Sequence, residues 1–263
     1  MLPDNCFSNL VGVCCRKEVC FAPLSWGSDL DAGLTSTCPN RWPSQGFCTS
    51  YGDLLPSSSD GQCCYVETHG NCCGRPFMDG ENMLGAGLRR RRDWIAASLA
   101  SPAVEHDATR RALARAWLRD ARMEHASIAS FAHFTLQALA VAAPAELIAD
   151  AQRAALDEVA HAGACFALAS RYAGDALGPA ELPMPSNLSV LPLAEASAAA
   201  VREGCVAETL AALLASEQLA HATDPDVRAA ITRIAQDEAR HAELAYRFVH
   251  WALSMGGTAV HDA

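Results

Sequence analysis

Small and hydrophobic residues recur every three or four positions through most of the segment from about 108 to 256. This spacing places them along one side of an α-helix, as in helices that bury one face in a bundle. The repeat is broken by two short turns and by one longer stretch that contains four prolines. It therefore predicts four helices, at about 108–141, 144–173, 194–222 and 225–255.

Local signals at the helix ends support this division. Pro144 and Pro225 suit the first turn of a helix, where the missing N–H costs nothing. Asp224 can cap the last helix, and Gly174 suits the position that follows a helix end. The four predicted helices therefore have plausible boundaries as well as apolar faces.

The lengths of the connections predict how the helices are arranged. Only a few residues separate the first helix from the second and the third from the fourth, so each pair should form an antiparallel hairpin. A helix of ~30 residues is about 45 Å long, whereas an extended stretch of ~20 residues reaches about 65 Å. The segment 174–193 can therefore cross from one end of the bundle to the other. The prediction is an all-α four-helix bundle with one long crossover.

The first third of the chain differs in amino-acid composition. Ten of the 12 cysteines lie between Cys6 and Cys73, among many Pro, Gly, Ser and Asn residues. A dense, even set of cysteines in a loop-rich stretch is typical of a disulfide framework. No Cys-x-x-Cys pair occurs, which disfavours a zinc-ribbon or rubredoxin-like metal cluster. We expect a small, irregular, disulfide-stapled region over 1–80, a connector over 81–107, the helical bundle over 108–256 and a tail over 257–263.

Disulfides imply an oxidising compartment, so we expect a cell-envelope location, periplasmic or extracellular. Residues 1–20 lack the basic start and apolar run of a secretory signal, and we expect a leader to have been removed. Export by another route and reduced cysteines are the alternatives. No charge-free apolar run approaches the ~20 residues of a transmembrane helix. The net charge of -10 disfavours nucleic acid as a partner, and the run Arg89–Arg92 fits a solvated or partner-facing linker.

Each predicted helix carries a glutamate in the middle of its apolar stripe, and two helices add a histidine three residues further on. The set is Glu124, Glu158, His161, Glu208, Glu238 and His241. Burying an unpaired carboxylate is costly, and metal coordination is one way to offset that cost. Residues three apart on a helix face the same side, so each Glu-x-x-His pair can hold one ion. Four carboxylates would neutralise two divalent ions, as in di-iron and di-manganese bundles.

The segments around the two histidines resemble a known signature. Residues 157–161 read DEVAH and residues 237–241 read DEARH. Both are similar to the D/E-E-x-R-H signature of ferritin-like di-iron proteins, a superfamily that includes bacterioferritins, rubrerythrins and O2-activating di-iron oxygenases. The first segment departs from the signature at Ala160, where the signature has arginine. The resemblance covers about 108–256 and leaves the cysteine-rich region unexplained.

The resemblance implies roles for individual residues. Glu124 and Glu208 resemble the single-carboxylate ligands of the superfamily, and the other four resemble its Glu-x-x-His ligands. Metal-bound histidines usually donate their second N–H to a carboxylate or a carbonyl. In the resembling families an aspartate reaches across to the opposite histidine. This implies two contacts, Asp157 with His241 and Asp237 with His161; two solvated carboxylates are the alternative.

A di-iron carboxylate site of this superfamily supports several reactions. It can oxidise Fe(II), reduce peroxide, or activate O2 to oxidise an organic substrate, and a manganese pair can dismutate peroxide. An appendage of more than 100 residues before the first helix fits poorly with the closed shells of storage ferritins. We expect an oxidoreductase that acts on O2 or peroxide, with a small-molecule substrate and a homodimer as further possibilities. A ferroxidase or iron-handling protein and a surface binding protein with a scaffold bundle are the alternatives; iron and manganese both suit the ligands.

Other chemically versatile side chains are expected to lie outside the metal site. Haem in bacterioferritin-like dimers uses a methionine; here the second and third helices have none and Met123 adjoins a ligand, so we expect no haem. His125 and His133 adjoin the apolar stripe of the first helix without lying on it. Cys165 and Cys205 lie on their stripes but ~10 Å or more apart along the bundle axis. We expect them to be small core residues without a disulfide between them.

Overall fold

The computed structural model describes residues 15–21, 49–54, 63–69, 75–79, 82–95 and 107–263. The chain forms two compact units, Met1–Cys72 and Cys73–Ala263. Most of the described residues are helical, which confirms the mostly-α class.

Three strands are described in the first unit. They are β1 (Cys15–Phe21), β2 (Thr49–Leu54) and β3 (Cys63–His69), and they form an antiparallel sheet with β3 in the centre. The expectation of a wholly irregular region is therefore corrected. The segment 63–69 includes Tyr, Val and Thr, which fit a pleated surface well. The side chains of the ten cysteines in 1–80 lie outside the described residues, and so does the predicted disulfide framework.

The described residues of the second unit form four helical segments at the predicted positions. They are α1 (Asp107–Ala140), α2 (Ala145–Ala173), a third segment made of α3 (Leu193–Ala200), a π-helical turn (Val201–Val206) and α4 (Ala207–His221), and α5 (Pro225–His261). The predicted helices are confirmed to within one or two residues, with one exception. The helix α5 continues to His261, into the predicted tail, because Gly257 absorbs a kink at φ 54° and Val260 is buried beyond it.

The predicted signals at the helix ends are present. The Asp224 carboxylate accepts hydrogen bonds from the backbone N–H groups of Asp226 and Val227, so it caps α5. Gly174 ends α2 in the left-handed conformation at φ 74°. Arg171 near the end of α2 pairs with Asp224 at 2.8 Å, which ties the end of α2 to the start of α5.

Two apolar clusters hold the helices together. α1 packs along α2, the segment α3 to α4 packs along α5, and α2 also packs along α5. One cluster is centred on the buried rings of Phe131, Phe134 and Phe248. The other contains Phe166 among small residues, with Trp94 packed against it. On α1, α2 and α5 the predicted ligands lie in sequence between residues of the two clusters, so the packing fixes the positions of these helix middles.

Residues 75–95 lie against the helices. β4 (Met78–Asp79) and β5 (Asn82–Met83) form a hairpin, and β6 (Leu88–Arg90) pairs with β7 (Leu177–Pro179). Phe77 and Ala86 are buried, and the Arg122 Nε donates a hydrogen bond of 2.7 Å to the Ala86 carbonyl. The compact second unit begins at Cys73. It therefore takes in residues 75–79 of the predicted cysteine-rich region, where Phe77 is buried, and the described part of the predicted connector, where Ala86 is buried.

The basic run at the end of this segment is largely solvated. Arg89 pairs with Glu181 at 2.9 Å and Arg90 with Asp175 at 2.6 Å, and both arginines are exposed. Surface pairs of this kind contribute little to stability. These contacts nevertheless fix β6 against the start of the crossover.

The crossover between α2 and α3 follows the hairpin of α1 and α2 along its length. It starts beside the end of α2, where β7 pairs with β6. It ends near the C-terminal end of α1, where Gln137 exchanges two hydrogen bonds with Leu191. Because a turn of four residues joins α1 to α2, their C-terminal ends lie at opposite ends of the hairpin. In the described part of the chain no helix is both long enough and apolar enough for a membrane crossing.

Candidate metal centre

The structure brings the six predicted ligands together from four helices. They form two groups, Glu124, Glu158, His161 and Glu238 on one side, and Glu208, Glu238 and His241 on the other. Within each group every residue offers a nitrogen or oxygen within 4.8 Å of the others. Glu238 belongs to both groups, so the two groups share one carboxylate.

The helices position these side chains in two ways. On α2 and α5, the i, i+3 spacing puts each glutamate and its histidine on the same face. On the third segment, Glu208 is the second residue of α4, which begins directly after the π-helical turn. A π-helical turn contains one residue more than a regular turn, and such turns are frequent at functional sites. The turn therefore sets which way the first residues of α4 face.

Burial of the six side chains is nearly complete. Five of them are at most 3% exposed, and only Glu124 keeps an exposed fraction of 17%. Glu158 Oε2, Glu238 Oε2, both carboxylate oxygens of Glu208 and the Nδ1 atoms of His161 and His241 are buried without a hydrogen-bond partner. Buried polar atoms ordinarily have such a partner. A set of inward-facing carboxylate oxygens and imidazole nitrogens with unused lone pairs fits the donor requirement of divalent transition metals.

Each histidine presents one nitrogen to the carboxylates and the other to an aspartate. The Nε2 of His161 lies 2.8 Å from Asp237 Oδ2, and the Nε2 of His241 lies 3.4 Å from Asp157 Oδ2. When Nε2 donates its proton to the aspartate, Nδ1 keeps a free lone pair for a metal. These cross-helix pairs are the ones that the sequence resemblance implies.

Arginines extend the support of the aspartates, and the sequence pattern alone does not indicate this role. Arg240 lies between the two aspartates, 2.5 Å from Asp237 and 3.2 Å from Asp157. Arg233 adds a second contact of 3.4 Å to Asp237. Position 160 holds alanine, so α2 supplies no corresponding arginine to Asp157. The two histidines are therefore supported unequally.

The buried charges act strongly on one another. Burial and the charge of Glu158 raise the pKa of Glu124 to about 8. Burial also raises the pKa of Glu208 and Glu238, and neighbouring carboxylates add to this. Burial opposes the charging of His161, but contacts with Glu124 and Glu158 outweigh it and raise its pKa to about 12. Divalent cations among these groups would relieve the same repulsion between carboxylates.

Arg75 is a further residue near this centre that the sequence did not single out. Its side chain is 3% exposed and lies against the rings of Phe131 and Phe134. Its positive charge opposes the rise in the pKa of Glu208, which burial and the charge of Glu238 cause. Arg75 lies in the cysteine-rich part of the sequence, where no periodic pattern indicates which residues face the bundle.

The residues expected outside the metal site lie outside both ligand groups. His125 packs edge-on against Trp94, with 5.0 Å between the ring centres. The Nε2 of His133 lies 3.0 Å from the Ser189 carbonyl oxygen on the crossover. Cys165 and Cys205 are buried free thiols, which confirms the prediction that no disulfide joins them.

Comparisons of this chain with protein-family models, with curated proteins and with solved structures give no match. The candidate site is defined by its own residues and their geometry.

Proposed function

We propose that residues 107–261 form a ferritin-like four-helix bundle that binds two divalent transition-metal ions, iron in the first place. We further propose that the protein is an oxidoreductase acting on O2 or peroxide. The observation that carries the proposal is the set of buried carboxylate and imidazole atoms that face one another without hydrogen-bond partners.

The ligand groups assign each ion its own residues. Glu124, Glu158, His161 and Glu238 would hold one ion, and Glu208, Glu238 and His241 the other. The four carboxylates carry four negative charges, which two divalent cations neutralise. The aspartate behind each histidine holds the imidazole in the tautomer that leaves Nδ1 free to coordinate.

When bound, such a pair of ions supplies two-electron redox chemistry toward an O–O bond, which no side chain of this set provides. The protein contributes a dry, fixed environment. Phe131 covers His241 from the side, with 4.8 Å between the ring centres. Glu124 is the ligand nearest to solvent, so small molecules are expected to reach the centre at this carboxylate.

Metal analysis and oxygen consumption test the proposal together. The full chain is loaded anaerobically with Fe(II), freed of unbound metal and analysed for iron, and O2 uptake is then followed. We expect about two ions per chain and O2 uptake that depends on them. The Glu238→Ala variant should lose both properties, whereas Glu217→Ala, at an exposed position of α4, should keep both.

Two results would contradict the proposal at different levels. Fewer than about one iron or manganese ion per chain after reconstitution would overturn the di-metal assignment. Two bound ions without consumption of O2 or peroxide would overturn the oxidoreductase assignment and favour a scaffold with a structural metal pair.

A further inference from the structure

Arg75 is an almost completely buried cation with aromatic neighbours. Its guanidinium carbon lies 4.3 Å from the centre of the Phe134 ring and 5.0 Å from that of Phe131. Such stacking holds a guanidinium in place and leaves the N–H groups at its rim available. The Arg75 backbone carbonyl accepts a hydrogen bond of 3.0 Å from Ser127, so α1 fixes the residue from both its backbone and its side chain.

This guanidinium has no full ionic partner among the described residues. Its nearest carboxylate oxygen, Oε2 of Glu203, lies 3.9 Å from Nε, and the Glu203 side chain is 41% exposed. The Nε atom is buried without a hydrogen-bond partner. Buried arginines are ordinarily paired, because an uncompensated buried charge is expensive. The weakly paired positive charge of Arg75 therefore favours a bound anion.

Arg75 lies beside the second ligand group and the π-helical turn. Its Nη2 approaches to 3.3 Å from the point where a Cβ would stand at Gly204, so glycine leaves room for the guanidinium. The Phe131 ring contacts both the Arg75 guanidinium and the imidazole of His241. An anion held by Arg75 would therefore lie next to the metal centre, on the side of His241 and Glu208.

Charge and shape define the ligand. Two divalent ions neutralise the four ligand carboxylates, which leaves the single positive charge of Arg75 only weakly paired with Glu203. A planar guanidinium fork matches a carboxylate with two parallel hydrogen bonds. The rings of Phe131 and Phe134 are buried, so the surroundings of the guanidinium are apolar. From the geometry we infer that Arg75 binds the carboxylate of a small organic acid, which makes a carboxylate-bearing molecule the substrate class of the proposed metal centre.

This inference rests on the proposed function, and its test separates the two. The Fe(II)-loaded full chain is titrated anaerobically by calorimetry with acetate, hexanoate and inorganic phosphate at constant ionic strength. Iron content is measured for every sample. We expect saturable binding of acetate and tighter binding of hexanoate, with phosphate weaker than either.

Variants identify the residue responsible. Carboxylates also ligate metals, so the Arg75→Met variant isolates the contribution of the guanidinium. We expect its affinity for hexanoate to fall by roughly tenfold or more, with iron content unchanged. The Arg75→Lys variant keeps the positive charge but lacks the planar guanidinium fork. Its hexanoate affinity should lie between those of the original chain and of Arg75→Met. Arg90→Met removes an exposed arginine and should bind as the original chain does.

Three results would overturn the inference. The first is an iron-loaded original chain that binds no carboxylate, which decides the matter even if Arg75→Met does not fold. The second is equal hexanoate affinity in Arg75→Met. The third is binding of phosphate without carboxylates, which would identify a free inorganic anion as the ligand. A chain that binds no metal would instead overturn the proposed function and this inference with it.

Discussion

The two histidines of the candidate centre have matching sequence surroundings but different supports. His161 faces Asp237, which is 4% exposed and contacts both Arg240 and Arg233. His241 faces Asp157 at a longer distance, 3.4 Å against 2.8 Å. The repeat in the sequence therefore does not give the two histidines equal surroundings.

The wider surroundings of the two positions differ as well. The group around His161 has four ligands, one of them the partly exposed Glu124. The group around His241 has three and lies beside the buried cation Arg75. More ligands and a better-supported histidine favour tighter binding, whereas a neighbouring cation disfavours it. We expect the ion at His161 to be held more tightly than the ion at His241.

Removing the shared carboxylate should have the largest effect. Glu238→Ala takes a ligand from both groups, so we expect nearly all bound metal to be lost. Glu208→Ala affects only the group of His241 and should leave about one ion per chain. Metal content after gel filtration measures both. Equal loss of metal in the two variants would contradict the separation into two groups.

Replacing each aspartate by asparagine tests whether the two histidines are held unequally by their aspartate contacts. Asp237→Asn should weaken the tighter ion by roughly 10- to 100-fold, because His161 loses its charged acceptor. Asp157→Asn should weaken the other ion by less than tenfold, since its contact is longer and more exposed. Competition with a chelator of known affinity gives both values. A larger effect of Asp157→Asn would reverse the assignment of the tight position.

The pH dependence of the metal-free chain tests the buried charges. Glu124 has a folded pKa of about 8 against an ordinary value of 4.5, so its stabilising proton is fully present below 4.5 and lost as pH rises to about 8. Glu208 and Glu238 shift in the same direction. We therefore expect the free energy of unfolding in chelator to fall across this range. Urea unfolding at several pH values measures it, and stability that rises with pH would contradict the account.

Bound metal should change how the free energy of unfolding depends on pH. Ions replace the protons on the carboxylates, so stabilisation by metal is expected to grow as pH rises through the same range. The same glutamates whose protons stabilise the metal-free chain at low pH would bind the cations at higher pH.

Restoring the missing arginine should have the smallest effect. Ala160→Arg gives α2 the counterpart of Arg240 and should bring a second cation to Asp157. We expect a gain of about two- to threefold in the affinity of the weaker ion, because partly exposed ion pairs contribute little. Chelator competition detects a change of this size. A loss of affinity would show that the unequal supports do not arise from this position.

The helices and the six side chains that converge at the candidate centre could be predicted because their signals are local. The 3.6-residue repeat, the cap at Asp224 and the i, i+3 pairs each depend on only a few neighbouring residues. The four glutamates also interrupt apolar stripes, which makes them conspicuous in the sequence alone.

The π-helical turn and the packing of residues 75–95 could not be predicted in the same way. The turn contains Gly204, where a Cβ would collide with Ala245, a residue 41 positions further along the chain. Arg75 is buried because its guanidinium packs against the rings of Phe131 and Phe134 of α1. Such tertiary contacts leave no periodic trace in the sequence.

Anomalous diffraction from crystals of the Fe(II)-loaded chain, recorded at the iron absorption edge, tests the central claim most directly. We expect two peaks about 3.5–4 Å apart, one among Glu124, Glu158 and His161 and the other between Glu208 and His241, with Glu238 in contact with both. The weaker peak should be the one at His241. Iron peaks elsewhere, or none among these six side chains, would contradict the account.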